Sequence, residues 1–213
     1  MKIKIAPSIL SADLNNISQE LSEVEPYADL IHIDIMDGKF VPSKTFTPSQ
    51  IKSFKISKPM DVHLMVERPI ADGYIKEYAA IGAASITIHA ECKEDITECF
   101  KLMENLGVRK SISIKPTTPL AAIKDYLDDV DMVLIMSVEP GYSGQKFMSE
   151  VLPKIKELRK LKPKLDIEID GGLNIRTVKK AVNAGANIIV AASYVFGSKD
   201  RKKAITSLRA PIH

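Results

Sequence analysis

Eight short apolar runs, separated by stretches of helical periodicity, constrain this chain more than any other feature of its sequence. The runs are KIAPSIL (4–10), LIHIDIM (30–36), MDVHLMV (60–66), SITIHAE (85–91), SISIKPT (111–117), MVLIMSV (132–138), LDIEIDG (165–171) and NIIVAAS (187–193). Rich in Ile and Val and alternating with helices, they read as strands of a parallel sheet covered on both faces. The helical segments are 12–25, 68–82, 93–107, 118–130, 149–161 and 174–185, with a short one at 47–55, and their apolar residues recur every three or four positions. Asp13, Thr118 with Pro119, and Asn174 stand where helices start, and Gly82, Gly107 and Gly185 where they stop. Eight βα units in 213 residues close most simply into one (β/α)8 barrel, a single domain over 1–213; a doubly wound open sheet is the alternative.

With 30 basic and 27 acidic residues the chain lacks the strongly basic balance of a nucleic-acid-binding protein. Its basic stretches, 154–164 and 199–203, read as exposed helix faces or ends. No apolar run reaches the length of a membrane span, and the first residues lack a signal-type core, so a cytoplasmic protein is expected. Cys92 and Cys99 lack a CxxC spacing and read as free thiols.

The chemistry collects in HIDIMDG, residues 32–38, where an imidazole and two carboxylates interrupt a buried strand. Burying such groups costs several kcal/mol unless they are paired or bind a metal. His32 and Asp34 are two apart, so they share one side of their strand. His63 on the next strand and Asp170 on the seventh complete a set suited to Zn2+, Fe2+, Mn2+ or Co2+. Each alone reads as a satisfied core residue; four together near strand ends, on the catalytic face of a barrel, point to a metal site. His89 reads as a hydrogen-bonded imidazole beside that site, and Asp37 as a turn-bonding residue. Met36, Met65 and Met136 fill the core near the acids and help to exclude water.

Three Gly-rich turns follow on consecutive strands: PGYSGQ (140–145), DGG (170–172) and AASYVFG (191–197). Small residues let backbone N–H groups approach an anion, and loops after strands seven and eight hold phosphate in barrels of this kind. A phosphorylated small sugar is the expected substrate, with proton transfer at the carbon next to a polarised carbonyl. Asp34 and Asp170 come from strands far apart around the barrel, so they can address opposite faces of one carbon and invert it.

The motifs APSILSADL, HIDIMDGKFVP, DVHLMV, MSVEPGYSGQKF and EIDGGLN, in this order, resemble the ribulose-phosphate 3-epimerase family from end to end. The resemblance implies a ribulose-phosphate-binding (β/α)8 barrel that interconverts D-ribulose 5-phosphate and D-xylulose 5-phosphate, in the pentose phosphate pathway, with one divalent metal ion. It implies His32, Asp34, His63 and Asp170 as ligands, and Asp34 and Asp170 as the acid/base pair. It also implies substrate contacts by Ser8, His63, Met36, Met65, Met136, Gly141, Tyr142, Ser143, Gly144, Gly171, Gly172, Ala192 and Ser193, and a homo-oligomer, dimeric or hexameric. Ser143 and Ala192 stand where the family usually has glycine, each adding bulk near the phosphate. Residues 43–48, SKTFTP, resemble in part the allulose 6-phosphate 3-epimerases, so a hexulose phosphate is the alternative substrate. A sugar-phosphate sensor without chemistry is a further alternative, while the absence of lysine between Asp34 and Asp37 argues against decarboxylation.

Overall fold

The structure is a computed structural model describing residues 2–209. All eight expected strands form: β1 (Lys4–Pro7), β2 (Ile31–Met36), β3 (Met60–Met65), β4 (Ala83–His89), β5 (Arg109–Ile114), β6 (Met132–Met136), β7 (Asp166–Asp170) and β8 (Ile188–Ala191). They pair in parallel in the order β1-β8-β7-β6-β5-β4-β3-β2. A bridge between Ser8 and His32 brings the two ends of this run together. Below it, the Asp29 and Leu30 amides donate to the Ile5 carbonyl, and the Ile5 amide donates to the Asp29 carboxylate at 2.9 Å.

Alternation along each strand sorts the side chains into two compartments. Ile31, Ile33 and Ile35 join one large cluster with residues of the surrounding helices, whereas Ala6, Met132, Ile188 and Val190 form a separate cluster inside the barrel. His32 and Asp34, one residue out of phase with the isoleucines, are therefore buried on the barrel side.

The outer layer contains α1 (Ile17–Val24), α2 (Pro48–Ser53), α3 (Tyr74–Ala80), α4 (Ile96–Asn105), α5 (Leu152–Leu161), α6 (Thr177–Ala184), α7 (Ser193–Phe196) and α8 (Arg201–Arg209). The expected helices are all shorter than the periodicity predicts, and two segments depart from it for a visible reason. Residues 68–73 are turns, because Gly73 adopts φ +85° and the Glu94 carboxylate accepts from the Ile70 and Ala71 amides. Over 118–130 the chain forms only a 3-10 segment, Leu120–Tyr126. Thr118 does not cap it: its hydroxyl donates to Glu91, and Lys154 Nζ donates to the carbonyls of Lys115, Pro116 and Thr118, which pins the entry to this segment. Beyond β8 the outer layer ends in two pieces, and Arg201 of α8 pairs with Glu20 and Glu23 of α1. Gly82, Gly107 and Gly185 end their elements at positive φ, as the sequence predicts.

Ile33 is fully buried between barrel and helices. Ile33→Ala is expected to cost about 2–5 kcal/mol, read as a lower urea midpoint with the site residues in place.

Candidate active site

The strand register assembles the site. In the β2–β3 ladder His32 lies beside Asp61 and Asp34 beside His63, so two histidines and two carboxylates interleave on the barrel side. Asp34 Oδ1 lies 3.2 Å from His63 Nδ1 and 3.4 Å from His32 Nε2. Asp170, at the end of β7, joins them: one donor atom from each of His32, Asp34, His63 and Asp170 lies within 4.8 Å of the others. The donors suit a divalent cation. Nδ1 of His32 is engaged by Asp61 Oδ2 at 2.7 Å, which turns Nε2 toward the cluster, where it is buried without a hydrogen-bond partner. An orphaned imidazole nitrogen beside two carboxylates fits an ion of the Zn2+ or Mn2+ type.

Burial opposes a charge on each group, and the neighbours decide which charges survive. Burial works against ionised Asp34, yet the His32 imidazole holds its carboxyl far below the usual range. Burial works against protonated His32, yet Asp34, Asp61 and Glu168 hold its pKa well above the ordinary value. Asp170 has no cation so close; burial, and then the Asp34 charge, push it up to about 7. The cluster thus holds one firmly ionised carboxylate and one poised near neutrality.

Above the cluster opens a cavity of about 480 Å3 lined by Asp34 and Asp170. Every expected substrate-contacting residue lines it except His63: Ser8, Met36, Met65, Met136, Gly141, Tyr142, Ser143, Gly144, Gly171, Gly172, Ala192 and Ser193. His63 is fully buried beneath. Tyr142, 64% exposed, belongs to the rim. Ser8 Oγ donates to Asp34 Oδ2 at 2.5 Å, so its single proton is already engaged with a site carboxylate. Asp37 bonds the turn as expected, accepting from the Lys39, Phe40 and Glu67 amides.

The glycine loops are held by close approach. A Cβ on Gly172, at φ +64°, would lie 2.5 Å from the Phe147 amide nitrogen. Ser137 Oγ donates to the Asp170 and Gly171 carbonyls at 2.8 and 2.7 Å, tying the loop after β6 to the end of β7. Ser143 has no positive φ, and Ala192 adopts φ −98°, so neither backbone position requires glycine. Residues 43–48 do not line the cavity; Thr45 instead braces β2, donating to the Asp34 carbonyl at 2.6 Å and accepting from the Met36 amide at 3.0 Å.

Sequence reasoning missed Asp61, Glu168 and Glu91. Asp61 accepts from Ser85 Oγ at 2.6 Å while holding His32, and Glu168 lies 3.6 Å from the same imidazole. The available signal was their spacing, since Asp61, Glu168 and Glu91 sit two residues from His63, Asp170 and His89 respectively.

Residues 4–196 match the family described as the ribulose-phosphate 3 epimerase family. The chain is similar to a ribulose-phosphate 3-epimerase of Bacillus subtilis (strain 168), 45% identical over 97% of this chain and 98% of that protein. It is 41% identical to the cytoplasmic isoform of ribulose-phosphate 3-epimerase from Oryza sativa subsp. japonica, over 98% of this chain and 94% of that one. Among solved structures it resembles a 3-hexulose-6-phosphate synthase, with TM-score 0.75, 17% identity, and coverage of 99% of this chain and 100% of that one; this likeness shows the barrel fold.

Gly172→Ala is expected to destabilise the chain by more than about 1 kcal/mol and to displace the loop after β6. Hydrogen exchange should report it as faster exchange over residues 137–147 than in the unaltered protein.

Proposed function

The chain belongs to the ribulose-phosphate 3-epimerase family, and from that premise we propose that Asp34 and Asp170 carry out its two proton transfers. The activity is epimerisation at C3, interconverting D-ribulose 5-phosphate and D-xylulose 5-phosphate. One observation carries the residue assignment: Asp34 and Asp170 come from β2 and β7 and line one cavity. Asp34 takes the C3 proton from one face, leaving an enediolate; Asp170, in its acid form, returns a proton to the other face, and the configuration inverts. In the reverse direction the roles exchange.

His32, Asp34, His63 and Asp170 would hold a divalent ion, which when bound offsets the negative charge that develops on the carbonyl side of the substrate. Ser8 orients the Asp34 carboxylate through its 2.5 Å bond. Met36, Met65 and Met136 cover the reacting region and exclude water. The phosphate is placed against the small-residue loops at Gly141–Gly144, Gly171–Gly172 and Ala192–Ser193, where the rim is open to backbone donors. Five-carbon substrate is favoured over allulose 6-phosphate, because residues 43–48, which carry the likeness to hexulose phosphate enzymes, lie outside the cavity lining.

The same reading takes residues 1–213 as one catalytic domain acting in the pentose phosphate pathway as a homo-oligomer. A cytoplasmic location is supported by two unpaired cysteines and by similarity to a protein named as a cytoplasmic isoform. Among the described residues no helix is long and apolar enough to cross a membrane.

Exchange at C3 in deuterated water tests the assignment, with ribulose 5-phosphate and allulose 6-phosphate run in parallel before and after stripping the metal. Metal-dependent uptake with inversion, faster on the pentulose, is expected. Asp34→Asn and Asp170→Asn should each lower kcat by about 100- to 10,000-fold, with Asp170→Asn retaining one-sided exchange through Asp34. Turnover near that of the unaltered enzyme in either variant would sink the two-aspartate mechanism.

A further inference from the structure

A buried hydrogen-bonded line leaves the site on the side away from the cavity, and the chemistry above makes no use of it. His63 Nε2 lies 2.9 Å from His89 Nε2, His89 Nδ1 lies 3.0 Å from Glu91 Oε2, and both imidazoles are fully buried. The two rings stack at 5.0 Å between centroids, and Phe40 covers His89 at 4.7 Å. Glu91 is held in turn: its Oε1 accepts from the Lys115 amide at 2.9 Å and from the Thr118 hydroxyl. We infer that Glu91, acting through His89, is a positioning residue that sets the tautomer of His63 and so presents a lone pair, not a proton, to the metal cluster.

Donor and acceptor counting along the line leads to this assignment. A carboxylate only accepts, so the His89 nitrogen facing Glu91 Oε2 must carry hydrogen. In a neutral ring that leaves His89 Nε2 as an acceptor, and the hydrogen in the 2.9 Å contact must come from His63 Nε2. His63 Nδ1 is then unprotonated and faces Asp34 Oδ1 at 3.2 Å. The three contacts from Asp34 to Glu91 need three hydrogens and two neutral rings supply two, so the bare contact falls at Asp34, where a cation between the two acceptors can take the hydrogen's place. His32 is oriented by the same logic from the other side, through Asp61. Each imidazole of the cluster thus has a carboxylate fixing its tautomer: Asp61 directly for His32, and Glu91 at one ring's remove for His63.

Glu91→Gln has a defined consequence. The Lys115 amide still needs an acceptor, so the new amide turns its oxygen there and its NH2 toward His89 Nδ1. Every donor on the line then reverses, and His63 Nδ1 acquires a hydrogen that points at Asp34.

The inference rests on the metal-site reading for its effect on affinity; without metal, Asp34 and Glu91 compete for a hydrogen that two neutral rings cannot supply to both, and the tautomer of the metal-free protein shows which carboxylate sets it. Metal-free protein carrying 15N-labelled histidine would be examined by long-range 1H–15N correlation, with His63 and His89 assigned through single variants. The expected result is His63 protonated at Nε2 and His89 at Nδ1, with Glu91→Gln inverting both and His89→Phe abolishing the bias at His63. Zinc titrated against a chelator should bind the Glu91→Gln protein about 10- to 100-fold more weakly, with KM unchanged at saturating zinc. His63 protonated at Nδ1 in the unaltered protein, or a Glu91→Gln protein with the same tautomers and zinc affinity, would overturn the inference. Failure of the unaltered protein to bind zinc would instead count against the metal site, because the metal-free spectra decide the tautomer independently.

Discussion

The structure turns on the pairing of β2 with β3, which lays His32 beside Asp61 and Asp34 beside His63 inside the barrel. A residue slip in either strand would send its two polar groups into the apolar layer under the helices and bring apolar side chains into the site. In the observed register Asp61 holds His32, and His32 keeps Asp34 ionised. Without those partners, the cost of burying the charges would exceed what the surrounding Ile and Val burial contributes locally.

The same arrangement accounts for the difference between the two site carboxyls. Asp34 sits between two imidazoles on adjoining strands, whereas Asp170 arrives from β7 with burial and the Asp34 charge both working against its ionisation. Two chemically identical side chains are thereby placed in opposite electrostatic surroundings, as the proposed inversion at one carbon requires. The candidate phosphate loops are shaped by close backbone approach at Gly172 and by the Ser137 bonds to the Asp170 and Gly171 carbonyls, which fix the loop after β7 directly beside Asp170.

Much of this was legible in the residues. The period-two alternation of IHIDIM placed His32 and Asp34 on one side before any coordinates, and the three Gly-rich turns marked one end of the barrel. The length of the segment at 118–130 was not legible, because its periodicity is helical while its start is captured by Glu91 and Lys154, residues remote in the chain. The placement of residues 43–48 was not legible either: Thr45 turns back onto the β2 backbone, and the segment lies outside the cavity lining.

By itself the sequence determined the eightfold alternation of strand and helix, the four candidate donors for a metal ion and the candidate phosphate loops. These are local properties, written in side-chain period and residue type within a few positions. Only the tertiary structure decided that Asp61 orients His32, that His89 and Glu91 stand behind His63, and that Ser8 bonds Asp34. Most of those contacts join residues of different strands, tens of positions apart, and even the local His89–Glu91 bond gains its role only where His89 meets His63. Their geometry depends on strand register and barrel closure, which arise from the packing of the whole helical layer against the sheet.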